Sequence, residues 1–168
     1  DNDGSSVFTF GGNVSVGSDR RAAGLVTGDV DGDGDMDVVA ATSGDAAGFV
    51  SILRSNSGVL SAPVSTNSGG QNPDTVRLVD ADGDGDLDVM VTNQDTGTLA
   101  TLDNNGAGVL GVAVTYATGV SPGDLVAGDL DGVAVIEMGG RGVGGMPTRA
   151  TETSVRGFWK VYRELMDV

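Results

Sequence analysis

Asp29–Asp37 reads DVDGDGDMD, and Asp80–Asp88 reads DADGDGDLD. Each stretch has Asp at every odd position and Gly at the fourth and sixth. Five carboxylates so close together repel one another. Two like charges ~4 Å apart cost about 4 kcal/mol at an effective dielectric of about 20. A fold gathers such a segment only around something positive. The chain has no His, no Cys and a single Lys, Lys160, so its own side chains offer little. A hard divalent cation bound through oxygen answers the charge, and Ca²⁺ is the first candidate.

Ca²⁺ takes about six to eight oxygens at ~2.3–2.6 Å. In a tight loop the side chains at positions 1, 3 and 5 converge on one point, the carbonyl at position 7 adds a ligand, and position 9 closes the shell from the start of the next strand. The expected ligands are Asp29, Asp31, Asp33 and Asp37 with Asp35 through its carbonyl, and Asp80, Asp82, Asp84 and Asp88 with Asp86 through its carbonyl. Two calcium sites follow. Gly at position 6 permits a sharp left-handed turn. The apolar residue at position 8, Met36 or Leu87, is expected to anchor the loop in the core. The first six positions also match an EF-hand. That loop needs a bidentate Glu at position 12 and an exiting helix. Here position 12 is Ala40 or Val91, inside VVAAT and VMVT, which are strand sequences.

The loops belong to a longer repeat. Their first Asp residues are 51 residues apart, and a partial third copy begins 49 residues later at Asp129. Short apolar segments rich in Val, Leu and Thr flank each loop, bounded by Gly, Asn, Ser or Asp, which is strand chemistry. Asn56–Gly58 (NSG) and Asn104–Gly106 (NNG) are hairpin-turn signals. Each repeat reads as four short antiparallel strands, with the Asp-rich loop joining the first to the second. A four-stranded unit of ~50 residues, repeated, reads as a β-propeller blade. The N-terminal stretch DNDGSSVFTFGGNVSVGSD aligns with the tail of an earlier repeat.

The pattern GD-x-DGDGD-x-D-hydrophobic, followed by NNG-x-G and V-x-Y-x-TG, resembles the FG-GAP/VCBS-type repeats over about residues 1–132. The resemblance implies calcium-binding propeller blades of the kind found in integrin α-subunit heads and bacterial surface proteins, and about seven blades in a full-length protein. It implies the same Asp ligands as the loop geometry. The expected fold is all-β, a partial, open-arc β-propeller of four-stranded antiparallel blades, with a C-terminal helix. Residues 1–132 hold a partial blade, two whole blades and a further partial one.

In the third copy Asp129 and Asp131 hold positions 1 and 3, but Val133 and Ala134 stand where the earlier loops have Asp and Gly, and Glu137 falls at position 9. No calcium site, or a very weak one, is expected there. Residues 133–168 change character, with five of the nine basic residues and the only Trp, Trp159. Val155, Phe158, Trp159 and Tyr162 lie at helical spacing, within a helix expected at about 152–166 after a Thr cap. The string VIEMGG…TETSVRGFWKVYRELM resembles the C-terminal end of Rieske-type aromatic-ring-hydroxylating oxygenase large subunits. Those enzymes bind their iron through Cys and His, and this chain has neither. Two readings of the tail stand side by side: a fused or disrupted reading frame, and a helical cap on the edge of the last blade.

Net charge is −15, and the two loops supply ten of the 24 acidic residues. The balance argues against nucleic acid or an anionic membrane as partner. No apolar run approaches the ~20 residues of a membrane span, and no signal peptide is visible from Asp1 onward. No nucleophile elbow, P-loop or HExxH occurs. The sequence predicts a non-enzymatic calcium-binding module of a secreted or cell-surface bacterial protein, serving adhesion or ligand binding, with an unidentified protein or glycan as partner. The alternatives are a fragment of a propeller-based polysaccharide-active or other extracellular enzyme, and an assembly module that self-associates through open blade edges.

Overall fold

The computed structural model describes residues 13–16, 20–44, 46–118, 121–130 and 133–140. The described part is all-β, with no helix. Blade 1 comprises β1 (Arg21–Gly28), β2 (Asp37–Ser43), β3 (Gly48–Leu53) and β6 (Val64–Asn67), hydrogen-bonded in that order. Between β3 and β6 a small hairpin, β4 (Ser55–Asn56) and β5 (Val59–Leu60), projects from the sheet. Blade 2 repeats the order with β7 (Pro73–Val79), β8 (Asp88–Asn93), β9 (Thr98–Leu102) and β10 (Val114–Ala117). A third pair, β11 (Pro122–Leu130) and β12 (Val133–Gly140), follows. All pairings are antiparallel, and the arrangement is open and propeller-like, without a closed barrel.

Blades stack face to face, and side-chain alternation along a strand serves both neighbours. Val89, Val91, Ala100 and Leu102 of blade 2 join Val39, Ala41, Val50 and Ile52 of blade 1 in one buried cluster. The intervening Met90 and Leu99 turn to the opposite face, where they meet Leu125 of β11. Central strands are therefore buried on both faces, and their sequences DVVAATS and DVMVTN lack the polar alternation of a half-exposed sheet. Fully burying one such Val or Leu contributes about 1.5–3 kcal/mol. The outer strands β6 and β10 are largely exposed.

The first strands of successive repeats, β1, β7 and β11, run beside one another. Each carries a register shift near its start, at Ala22/Gly24, Pro73/Val76 and Pro122/Asp124. Gly24 is needed at the first of these: a Cβ there would strike the Asp74 carbonyl oxygen of the next blade. At the same level Thr75 Oγ1 donates to the Gly123 carbonyl at 2.7 Å.

In the two whole blades, pairing of the first two strands stops at Gly28↔Asp37 and Val79↔Asp88, with eight residues between. In the third copy it runs on to Leu130↔Val133, with two residues between. Strand pairing thus takes in β12, Val133–Gly140. The N-terminal stretch through residue 12 and the expected helix at about 152–166 lie outside the described residues.

Candidate metal centre

Each Asp loop leaves its blade at the end of the first strand and returns at the start of the second. Asp29, at position 1, folds its own loop. Its Oδ1 accepts the Gly32 N–H at 2.8 Å, and its Oδ2 accepts that of Gly34 at 3.0 Å. Asp80 does the same for Gly83 and Gly85, at 2.8 and 3.1 Å. These bonds need a left-handed backbone at both glycines. The φ values are 73° and 92° in the first loop, and 85° and 96° in the second. The expectation at position 6 holds, and position 4 shares it.

Position 9 is buried. Asp37 is 0% exposed and Asp88 is 1% exposed. Each carboxylate accepts two backbone N–H groups, one from its own loop and one from the segment after the third strand. Asp37 takes Val30 N at 3.0 Å and Ser55 N at 2.7 Å. Asp88 takes Ala81 N at 2.9 Å and Asn104 N at 2.8 Å. Charge-assisted bonds of this kind are about twice as strong as neutral ones. Burial pushes the Asp88 carboxyl above its ordinary value, while the Asn104 and Ala81 N–H groups oppose that shift.

The structure brings positions 1, 3 and 9 together. Carboxylate oxygens of Asp29, Asp31 and Asp37 lie within 4.8 Å of one another, and so do those of Asp80, Asp82 and Asp88. Asp33 and Asp84 stand outside these trios. Each turns an oxygen to the N–H two residues on, Asp35 at 2.8 Å and Asp86 at 2.9 Å, the local turn that Asp side chains favour. The position 7 side chains face the hairpin of their own blade. Asp35 Oδ2 accepts the Ser57 N–H at 2.6 Å, and a Cβ on Gly106 would run into the Asp86 carboxylate.

Asp31 Oδ1 is buried and has no hydrogen-bond partner. Loss of hydration raises the Asp31 carboxyl above its ordinary range, and the charges of Asp33 and Asp37 add to the shift. An orphaned carboxylate oxygen among two other carboxylates suits a hard cation. The donor set is oxygen alone, and every oxygen already bonded to an N–H keeps a further lone pair. Asp29, Asp31 and Asp37 in the first loop, and Asp80, Asp82 and Asp88 in the second, are the residues placed to hold a metal ion, and their all-oxygen chemistry is that of a hard cation.

The residue expected to anchor each loop is corrected for the first one. Met36 is 59% exposed, whereas Leu87 is half-buried against the inter-blade core and lies at Gly28 of blade 1. Leu87 reaches the preceding blade at Gly28, whereas blade 1 has no whole blade before it among the described residues. Val30, at position 2 and 2% exposed, is the apolar anchor of the first loop.

In the sequence Asn104 reads only as part of a turn. It is 5% exposed, and its Nδ2 donates to the Val30 carbonyl at 2.8 Å and the Leu87 carbonyl at 3.1 Å. Gly108 N also donates to the Val30 carbonyl, at 3.0 Å, and Arg54 Nη1 donates to the Ala107 carbonyl at 3.2 Å. The hairpin of blade 2 therefore covers the Asp loop of blade 1. The available signal was the extra Asn: one Asn suffices for the turn, and the other hairpin has Ser55 at the equivalent place.

A 47-residue stretch is 61% identical to the terephthalate 1,2-dioxygenase terminal oxygenase component subunit alpha 2 of Comamonas sp. The match takes in 28% of this chain and 11% of that protein, so the chain spans about a tenth of the length of the curated relative it matches. No solved structure gives a significant match. A family model described as an FG-GAP-like repeat matches residues 29–91 and again 80–132. Each match opens on the first Asp of a loop, and together they cover more than half of the sequence, including both Asp loops and every strand of blade 2. With the repeated four-stranded sheets and their shared Asp loops, this places the chain in the FG-GAP-like repeat family.

Proposed function

We propose that this chain is a non-enzymatic, calcium-stabilised propeller module of a secreted or cell-surface protein, and that it serves adhesion or ligand binding. The observation that carries the reading is the duplicated trio of carboxylates, with the unpartnered Asp31 oxygen in the first. Calcium held there offsets the repulsion within each loop and fixes the connection between the first two strands of a blade. Extracellular modules of this sort work with Kd values of ~10⁻⁴–10⁻³ M, because calcium outside cells is abundant.

Calorimetric titration with calcium tests the proposal. Two bound ions are expected, falling to one in Asp31→Ala and to one in Asp82→Ala. Calcium in excess stabilises the fold by mass action, by about 2.7 kcal/mol per site at 100 times Kd, and so raises the melting temperature. A chain that takes up no calcium, or that melts identically in EGTA, defeats the reading.

One observation favours a second reading, as an assembly module. Leu25 is 62% exposed, although its repeat equivalents Val76 and Leu125 are fully buried against the preceding blade. A blade face from a second copy would cover it. Sedimentation of the chain with and without calcium tests this, and a monomer at all concentrations counts against it.

A further inference from the structure

We infer that Asn104 couples the two Asp loops, so that loading one with calcium tightens the other. The inference rests on the calcium reading above.

The Asn104 side chain is wedged between the loops. One amide nitrogen serves two carbonyls, Val30 at 2.8 Å and Leu87 at 3.1 Å. Val30 lies between Asp29 and Asp31, and Leu87 lies between Asp86 and Asp88, so each carbonyl is flanked by loop carboxylates. An amide has two N–H donors in one plane. It spans both carbonyls only when both loops hold a fixed position relative to each other. The Asn104 backbone N–H is committed as well, to Asp88 Oδ1 at 2.8 Å.

The orientation has a cost. With Nδ2 turned to the two carbonyls, Asn104 Oδ1 is buried without a hydrogen-bond partner, an arrangement that folded proteins tolerate rarely. Rotating the amide would satisfy neither carbonyl. The Ser55 hydroxyl, at the same place in blade 1, has one hydrogen to give, so this bridge needs the amide. Gly108 N reinforces it on the Val30 carbonyl.

A cation that orders the first loop fixes the Val30 carbonyl. This holds Asn104 and Gly108 in place and lowers the entropic cost of ordering the second loop. Linkage makes the effect reciprocal. Asn104 is a positioning residue here, acting on the loop backbones.

The test uses the full chain and calcium alone. Asp82→Asn removes the second-loop site, and the first-loop affinity is then expected to fall by roughly fivefold or more, within the usual range of coupling between sites. In the Asn104→Ala background the same substitution is expected to change first-loop affinity less than about twofold, the coupling having been lost already. Hydrogen exchange gives a second readout that does not need Asn104→Ala to fold. In Asp31→Asn, where only the second loop loads, calcium is expected to slow exchange of the Gly108 N–H. Equal first-loop affinities in wild type and Asp82→Asn overturn the coupling. So does an Asp82→Asn penalty that survives undiminished in Asn104→Ala, or a Gly108 amide indifferent to calcium in Asp31→Asn. Two independent sites overturn the coupling alone, whereas a wild-type chain that binds no calcium overturns the metal reading and the coupling together.

Discussion

The Asp37 carboxylate accepts the Ser55 N–H at 2.7 Å across 18 residues of chain, and neither group reaches solvent. This bond, with its counterpart from Asn104 N to Asp88, ties each Asp loop to the segment that follows the third strand. Position 9 is thus a structural acceptor as well as a candidate ligand, while Asp31 has an oxygen with no partner in the protein. The two carboxylates differ in what they do for the metal-free fold.

In EGTA, Asp37→Ala is expected to destabilise the chain by about 2–4 kcal/mol, because two buried N–H groups lose a charged acceptor. Asp31→Ala under the same conditions is expected to leave stability unchanged or to raise it slightly, since it removes a charge repelled by Asp33 and Asp37. Urea denaturation of both variants in EGTA checks the contrast. Equal losses would mean that Asp37 has no special structural role.

Left-handed backbone at position 6 sets the cost of a side chain there. Nothing lies within 4 Å of a Cβ placed on Gly34 or Gly85, so alanine at either is expected to cost only the conformational penalty of about 1–2 kcal/mol. Gly106→Ala is expected to cost more, because its φ is 72° and the new methyl also meets the Asp86 carboxylate. Thermal melts of the three variants rank them.

Repeat-equivalent positions differ in burial. Val76→Ala empties space in the core between blades and is expected to cost about 2 kcal/mol. Leu25→Ala removes an exposed side chain and is expected to change monomer stability by less than about 0.5 kcal/mol. Chemical denaturation measured at low protein concentration separates them. A Leu25→Ala loss that grows with protein concentration would mark association through that face.

Burial raises the Asp31 and Asp88 carboxyls above their ordinary value of 3.8. A carboxyl with a raised folded pKa binds more protons folded than unfolded between its two pKa values. Its contribution to stability is present at low pH and is lost as pH rises through that window. Metal binding needs the ionised form and acts in the opposite direction. The melting-temperature gap between calcium-loaded and chelated protein is therefore expected to narrow as pH falls from neutral toward 4. Calorimetric scans at matched ionic strength check it, and a gap that widens on acidification would contradict the assignment.

Much of the fold was legible in the chain. Asp ladders at blade spacing marked the repeat, the β-branched segments marked the strands, and Asn56–Gly58 marked a tight hairpin, where Ser57 and Gly58 take φ of 52° and 82°. The loop glycines were readable because only Gly takes that backbone conformation without a steric penalty. The candidate site was legible as a set of residues but not as a division of labour. Asp29 through Asp37 look alike in sequence, yet Asp33 turns to its own backbone, Asp35 faces a hairpin, and Asp37 is buried under two N–H groups.

The sequence alone determined the repeat, its strand chemistry and the oxygen-rich loops, since these depend on local spacing and on charge that no nearby residue offsets. Only the tertiary structure decided which carboxylates meet, why Met36 is exposed while Leu87 is half-buried, and that Asn104 reaches Val30 across 74 residues. Those outcomes depend on how one blade sits against the next. Contacts between blades are made by side chains far apart in the chain, and no local pattern of residues records them.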